Sequence, residues 1–124
     1  MAKLQSFREL IVWQKAMALT KEIYLSTRVF PKEETYGLTS QLRRASVSVA
    51  ANIAEGQAHS TRGEFIQFLG IAKGSIAELE TLPVLSKELN FITDEDSKRL
   101  ITSCEEISKL LAGLRKALLA KSSE

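Results

Sequence analysis

One histidine and one cysteine are the residues of this 124-residue chain best suited to chemistry. His59 stands in the segment Gln57-Ala58-His59-Ser60 with no recognisable motif around it, whereas a catalytic histidine needs a nucleophile and an orienting partner. We therefore expect a solvated histidine in a loop. Cys104 repeats with the apolar residues of the last predicted helix, so we expect a buried packing role rather than a reactive thiol.

The acidic residues form no recognisable site. Glu55 and His59 are four residues apart, whereas a di-iron bundle needs two Glu-x-x-His motifs. Pairs such as Glu33-Glu34 and Glu105-Glu106 are adjacent in sequence and indicate solvated charges. No glycine-rich phosphate loop can follow a strand, because the sequence contains no convincing strand. The sequence therefore predicts no metal, no cofactor and no enzymatic activity.

Two adjacent arginines, Arg43 and Arg44, carry the only charges between Leu38 and Ala54. Their planar guanidinium groups suit bidentate contacts to phosphate, so RNA or DNA binding is one interpretation. Pairing with acidic residues of the next helix, or of a neighbouring subunit, is an equal alternative. Three further cations are candidates to extend a nucleic-acid patch: Lys15, Arg62 and Lys73.

Composition limits the classes of protein that remain. With 44% apolar and 26% charged residues the chain matches an average globular protein, and we expect one domain over residues 1–124. The net charge of +2 is too small for the dense basic surface of a committed nucleic-acid binder. The longest uncharged stretch, Ala45 to Ala54, is too short to span a bilayer. We expect no membrane association, no internal disulfide and a cytoplasmic location.

Apolar periodicity predicts four helices, at about 7–29, 38–55, 62–89 and 94–120. Three capping-box patterns predict helix starts, namely Ser6 with Glu9, Thr61 with Glu64 and Thr93 with Asp96. Two residues predict helix ends, Gly56 in a left-handed conformation and Asn90. Pro83 predicts a kink or a short break near residues 80–82. The short connections favour an all-α, antiparallel up-and-down four-helix bundle.

The second predicted helix has two apolar faces. Leu38, Leu42, Ala45, Val49 and Ile53 share one side, and Val47, Ala50, Ala51 and Ala54 lie nearly opposite. Small apolar residues are tolerable on a surface. We favour instead a contact with a second copy of the chain, because small residues let the helices of two copies approach closely. Gly70, Gly74 and Ala77, which share one face of the third helix, are further candidates for this interface.

Several short segments together resemble the four-helix-bundle family of 23S rRNA intervening-sequence proteins. They keep the family's order over nearly the whole chain, and the most specific are Val12-Trp13-Gln14-Lys15-Ala16, Gln41-Leu42-Arg43-Arg44-Ala45 and Asn52-Ile53-Ala54-Glu55-Gly56. Further pieces are Phe30-Pro31, Tyr36-Gly37-Leu38, Glu64-Phe65, Phe68-Leu69, Ala72-Lys73-Gly74-Ser75 and Glu78-Leu79-Glu80. Pro83 departs from the family's usual Glu-Thr-Gln-Leu run, which here reads Glu80-Thr81-Leu82-Pro83.

The resemblance implies a bacterial protein that assembles as a homopentamer, in a family named after gene location rather than activity. A similar protein, the accessory variability determinant of diversity-generating retroelements, is a basic pentameric barrel that binds nucleic acid and a reverse transcriptase. Carried over, this makes Arg43, Arg44 and Lys73 candidates for RNA or DNA contact. Two functions remain open: a non-enzymatic oligomer that binds RNA or DNA, and a protein–protein scaffold without a nucleic-acid ligand.

Overall fold

The chain folds into four long helices, and the prediction of an all-α bundle is confirmed. The structure, a computed structural model, describes residues 6–58 and 61–122. The helices are α1 (Ile11–Thr27), α2 (Leu38–Ala58), α3 (Arg62–Glu88) and α4 (Asp94–Ser122), with short 3-10 helices at Phe7–Glu9 and Lys32–Glu34. Within the described residues there is no strand.

Each helix packs against its two neighbours in a closed square. α1 contacts α2 and α4, and α3 contacts α2 and α4, without close approach across either diagonal of the described bundle. The pairing residues run in opposite directions along each pair of helices, so every neighbouring pair is antiparallel. The contacts that establish this are Thr20 with Ser46, Thr27 with Arg43, Ser48 with Ser75, Gly56 with Phe68, Pro83 with Ser97, Ile66 with Arg115, Lys15 with Glu106 and Glu22 with Arg99.

The core consists of one apolar stripe from each helix, and the stripe predicted for the second helix is confirmed. The α2 residues Leu38, Leu42, Ala45, Val49 and Ile53 are all buried. Apolar spacing in the sequence predicts a broad face on the first helix, formed by Val12, Trp13, Ala16, Met17, Thr20, Ile23, Tyr24 and Thr27. This prediction was too broad, because α1 buries a narrower set. That set is Val12, Ala16, Leu19, Ile23 and Thr27, whereas Met17 and Tyr24 are exposed and Trp13 is half-buried.

Two of the three predicted capping boxes start an α-helix. The backbone N–H of Glu64 donates to Thr61 Oγ1 at 3.1 Å, and that of Asp96 donates to Thr93 Oγ1 at 3.0 Å. The prediction for Ser6 was wrong. Its hydroxyl oxygen accepts from the N–H of Arg8 and caps the 3-10 turn, while α1 begins afterwards from Leu10 without a side-chain cap.

Asn90 ends α3 as expected. It has a φ of 64°, in the left-handed region that asparagine tolerates better than most residues. The N–H of Phe91 donates to the Ser86 carbonyl and that of Asn90 to the Lys87 carbonyl, both at 2.9 Å. This pair of bonds is a Schellman motif, so the turn into α4 satisfies the last carbonyls of α3.

Gly56 does not end α2, which continues to Ala58, and no described glycine has a positive φ. Packing against α3 explains why position 56 is a glycine. A Cβ atom built at Gly56 would lie 2.8 Å from Phe68 Cβ and 3.0 Å from Phe65 Cδ1. The missing side chain therefore lets the end of α2 approach the start of α3 closely.

The short break expected near Pro83 does not occur, because α3 is continuous from Arg62 to Glu88. Pro83 is buried, and its carbonyl accepts a hydrogen bond from Ser97 Oγ of α4 at 2.9 Å. One turn further on, Ser86 Oγ donates to the Leu82 carbonyl at 2.8 Å. Packing and these two hydroxyls support the helix around a residue that cannot donate a backbone bond.

Candidate interaction surfaces

The residues best suited to catalysis form no reactive centre in the described structure. Cys104 is wholly buried in the core, as expected, and burial raises the pKa of its thiol to about 12, with smaller contributions from the nearby carboxylates Glu80 and Glu105. A neutral thiol at physiological pH is a poor nucleophile. His59 lies outside the described residues. Across residues 6–58 and 61–122, no three His, Cys, Asp or Glu side chains gather as metal ligands.

Arg43 is held by α1. Its Nε donates to Thr27 Oγ1 at 2.9 Å, an Nη donates to the Tyr24 carbonyl at 3.4 Å, and its Cζ lies 4.6 Å from the centre of the Tyr24 ring. Thr27 is itself buried. These contacts join the C-terminal end of α1 to the N-terminal half of α2, so Arg43 has a structural role within one chain.

The other four candidate cations do not lie beside Arg43 in one patch. Arg44 is exposed on the outer face of α2, and Arg62 is exposed at the start of α3, about 20 Å away at ~1.5 Å per residue. Lys15 forms an ion pair with Glu106 on the α1–α4 side, with 2.6 Å between Nζ and Oε1. Lys73 is two residues from Ser75, which contacts α2, so it faces the opposite side of α3, towards α4.

The outer surface between α1 and α2 forms an apolar groove, which we call the α1/α2 groove. It is open, holds about 280 Å³ and contains no charged side chain among its lining residues. Val47 is 44% exposed and Met17 is 45% exposed, both large fractions for apolar side chains. The lining residues are Trp13, Met17, Thr20, Val47, Ala50, Ala51 and Ala54.

All four α2 residues predicted for an oligomer interface line this groove, but they differ in burial. Ala51 is exposed, Ala54 is half-buried and Ala50 is only 6% exposed, because α1 already covers it. Sequence reasoning missed the α1 wall of the groove. Trp13 and Met17 were assigned to the core because they share a broad apolar arc with Val12 and Ala16.

The three α3 candidates lie on a different surface. The backbone of Gly70 lies beneath Arg115 of α4, because a Cβ atom added to Gly70 would be 3.7 Å from Arg115 Nε. Gly74 faces open space, and Ala77 is exposed. Ala77 also begins a shallow depression of about 520 Å³ along α3, whose other lining residues are Glu80, Thr81, Val84, Leu85 and Glu88. The bundle thus has two separate surfaces with exposed apolar residues.

No helix within the described residues has the length and the hydropathy needed to cross a bilayer.

Comparison with known proteins is consistent with this description. The family model described as 23S rRNA-intervening sequence protein matches residues 8–113. The chain is also similar to a crystal structure from Bacteroides thetaiotaomicron VPI-5482, a protein with unknown function from the S23 ribosomal protein family, with a TM-score of 0.77 and 26% identity. The likeness covers 86% of this chain and 99% of that one. No curated protein matches significantly.

Proposed function

This chain belongs to the family of 23S rRNA-intervening sequence proteins, and from that premise we propose that it is a non-catalytic protein that works by assembling with copies of itself. The α1/α2 groove is the observation that carries the proposal. It leaves Met17, Val47 and Ala51 exposed on two adjacent helices, with no charged residue among those that line it. Exposed apolar surfaces of this kind are typical of protein interfaces.

A head-to-tail contact between copies suits the bundle better than a self-complementary one. In a self-complementary dimer one patch meets the same patch, whereas in a head-to-tail contact two different patches meet and rings can close. Two different surfaces with exposed apolar residues support the second arrangement, namely the α1/α2 groove and the face of α3 that includes Gly74 and Ala77, which also carries Glu80 and Glu88. Following the resemblance, we propose that the closed assembly is a homopentamer.

Ala51→Glu tests the assembly. The change places a carboxylate where the groove would be covered, and burying an unpaired charge costs several kcal/mol, so we expect the variant to remain helical but dissociate. The measurement is mass by light scattering after size exclusion, with helical content by circular dichroism. Ala112→Glu, at an exposed position of α4, is the matched control and keeps the wild-type mass. An unchanged mass for Ala51→Glu contradicts this interface.

A mixing experiment distinguishes the two contact geometries. Ala77→Glu blocks the α3 face and leaves the groove intact, whereas Ala51→Glu does the reverse. If copies meet head to tail, each variant alone is monomeric and an equimolar mixture forms a dimer through its one intact contact. If the contact is self-complementary, the variant whose contact surface is intact assembles by itself. Mixing the two variants then produces no new species.

RNA or DNA binding by the α2 arginines is the second candidate function. The exposed guanidinium of Arg44 favours it, whereas the hydrogen bonds of Arg43 to α1 favour a structural role for that residue. Arg44→Gln would reduce the salt dependence of nucleic-acid binding by about 0.9 in the log–log slope for one lost contact to a duplex. An unchanged slope would leave the protein–protein scaffold as the function of this surface.

A further inference from the structure

We propose that parallel copies of the chain meet in one fixed register, in which Arg44 beside the α1/α2 groove of one copy pairs with Glu78 on α3 of the next. The inference rests on the proposed self-association and names the side chains that select the partner surface. The arrangement of charge carries it, because both rims of the groove are basic and both flanks of the α3 face are acidic. The four residues are Lys21, Arg44, Glu78 and Glu80.

Each rim of the α1/α2 groove carries one cation. Lys21 follows Met17 by four residues on α1, and Arg44 precedes Val47 by three residues on α2, so each cation lies one turn from a lining residue of the groove. Both cations are exposed. Neither forms an ion pair in the part of the chain that the structure describes. An apolar strip thus lies between two unpaired positive charges.

The α3 face that includes Gly74 and Ala77 has a carboxylate on each side. Around the helix axis, Glu78 lies about 40° from Gly74, and Glu80 lies about 60° from Ala77 in the other direction. Glu78 is exposed and Glu80 is half-buried. Neither carboxylate forms an ion pair with another described residue. Small residues thus lie between two unpaired negative charges.

Contacts with the neighbouring helices show which flank is which. Ser75, three residues before Glu78, shares a hydrogen bond with a serine of α2. Lys87, two turns after Glu80, forms an ion pair with an aspartate of α4. Glu78 therefore flanks the α3 face on the side of α2, and Glu80 flanks it on the side of α4.

Arg44 lies at the same level of the bundle as the two carboxylates. The hydroxyls of Ser48 and Ser75 are 2.9 Å apart, which fixes the register of α2 and α3. Arg44 is four residues before Ser48, and Leu79 is four residues after Ser75, so these two residues are level in the antiparallel pair. Leu79 stands between Glu78 and Glu80 in the sequence.

Lys21 also lies close to this level. Thr20 Oγ1 donates to the Ser46 carbonyl at 3.2 Å, so Lys21, the next residue, lies within about 3 Å of Arg44 along the bundle at ~1.5 Å per residue. In a ring whose axis is parallel to the bundles, rotation leaves the level of each residue unchanged. The basic rims of one copy then lie at the level of the acidic flanks of the next.

The order of the helices around the bundle decides which cation meets which carboxylate. This order is α1, α2, α3, α4, and it runs the same way in every parallel copy. Where two copies face each other, it runs in opposite directions across the contact, so the groove side farthest from α1 meets the α2 side of the neighbouring α3. Arg44 lies on that groove side, because one residue turns it about 100° from Arg43, which binds α1. Arg44 is thus opposite Glu78, and Lys21 is opposite Glu80.

The same charges disfavour a contact between two parallel grooves. Such a contact would place Lys21 of one copy opposite Arg44 of the other, and like charges across an interface suppress wrong partners. Opposite charges at a rim fix the register and the choice of partner more than they raise affinity. The charges therefore favour the head-to-tail arrangement.

Charge reversal tests the pair. Arg44→Glu and Glu78→Arg each place like charges opposite each other, so the protein concentration needed for assembly should rise at least about tenfold in each variant. The double variant Arg44→Glu/Glu78→Arg restores opposite charges and should regain the wild-type mass. Arg44→Glu/Glu80→Arg is the matched control with the same net charge, and it stays dissociated because Glu80 faces Lys21. Light scattering after size exclusion at low salt measures the masses, and circular dichroism checks the helices.

A mixture of Arg44→Glu with Glu78→Arg shows that the pair joins two chains. Each variant keeps one wild-type surface, and the two altered surfaces are complementary to each other, so both kinds of contact form and the mass exceeds that of a dimer. The mixture of Arg44→Glu with Glu80→Arg has only one complementary contact and stops at a dimer.

Three outcomes would overturn the pairing while self-association stands, because in each the wild type assembles and Ala51→Glu dissociates. The first is wild-type mass for both single reversals at every concentration. The second is a double variant with Glu78→Arg that is no heavier than Arg44→Glu alone. The third is recovery of mass with Glu80→Arg instead, which would mean that the other flank of α3 meets Arg44. A wild-type protein that is monomeric at low salt overturns both proposals.

Discussion

Gly56 shows how one missing side chain determines the packing of two helices. In a helix interior glycine costs about 1 kcal/mol relative to alanine, so its presence at a buried helical position needs a packing reason. The reason is the approach of Phe65 and Phe68, which would lie within 2.8–3.0 Å of an added Cβ. Both are ring-bearing residues of the first turns of α3, so Gly56 sets the close approach of α2 and α3 at this end.

Gly56→Ala is expected to lower the free energy of unfolding by about 1–2 kcal/mol. The gain in helix propensity is smaller than the cost of displacing a packed aromatic side chain. Gly113→Ala is the matched control, because its added methyl group meets open space, and it should raise stability by about 0.5–1 kcal/mol. Urea unfolding at one protein concentration measures both. A stabilised Gly56→Ala would contradict the packing explanation.

At the scale of the element, hydroxyl and guanidinium groups connect α1 to α2. Thr20 Oγ1 donates to the Ser46 carbonyl at 3.2 Å, and Arg43 donates to Thr27 Oγ1 at 2.9 Å. Because Thr27 is buried, removing Arg43 would leave the threonine oxygen without this donor. The adjacent residue, Arg44, is exposed on the outer face of the same helix.

Arg43→Gln should therefore destabilise the protein by about 1–2 kcal/mol, through loss of the hydrogen bond and of the cation–π contact with Tyr24. Arg44→Gln should change stability by no more than about 0.5 kcal/mol, as surface substitutions usually do. Urea unfolding of the two variants, which carry the same chemical change one residue apart, measures the difference. Equal stabilities would show that the contacts of Arg43 with α1 contribute nothing.

At the scale of the whole molecule, the antiparallel arrangement decides where charge accumulates. It places the acid-free second half of α4 beside the first half of α3, which carries Arg62 and Lys73. The same arrangement places the acidic start of α4 beside the end of α3.

Trp13, the single tryptophan, lines the α1/α2 groove and reports on its coverage. If a second copy covers the groove, tryptophan emission should shift to longer wavelength as the assembly dissociates, because the half-buried indole gains water contact. The shift should follow the fall in mass on dilution and end at the spectrum of Ala51→Glu. Emission that stays constant while the mass falls would place the contact between copies elsewhere.

The helices and most of the core could be predicted from the order of residues along the chain. Apolar periodicity located all four helices, and the buried faces of α2 and α4 follow from it, because helical geometry repeats every 3.6 residues whatever the tertiary contacts. Thr61, Thr93 and Asn90 act within one turn of the chain, so their roles as helix boundaries could also be predicted.

Which side chains form surfaces depends on the packing of the four helices and could not be predicted from the sequence. Gly56 packs against α3, Arg43 binds α1, and Trp13 and Met17 form the wall of a groove rather than core. Residues more than thirty positions apart, such as Lys73 and Lys109, come to the same level because α3 and α4 are antiparallel. A helical pattern fixes the angle of a residue around its own axis, but the neighbours at that angle depend on which helices pack together.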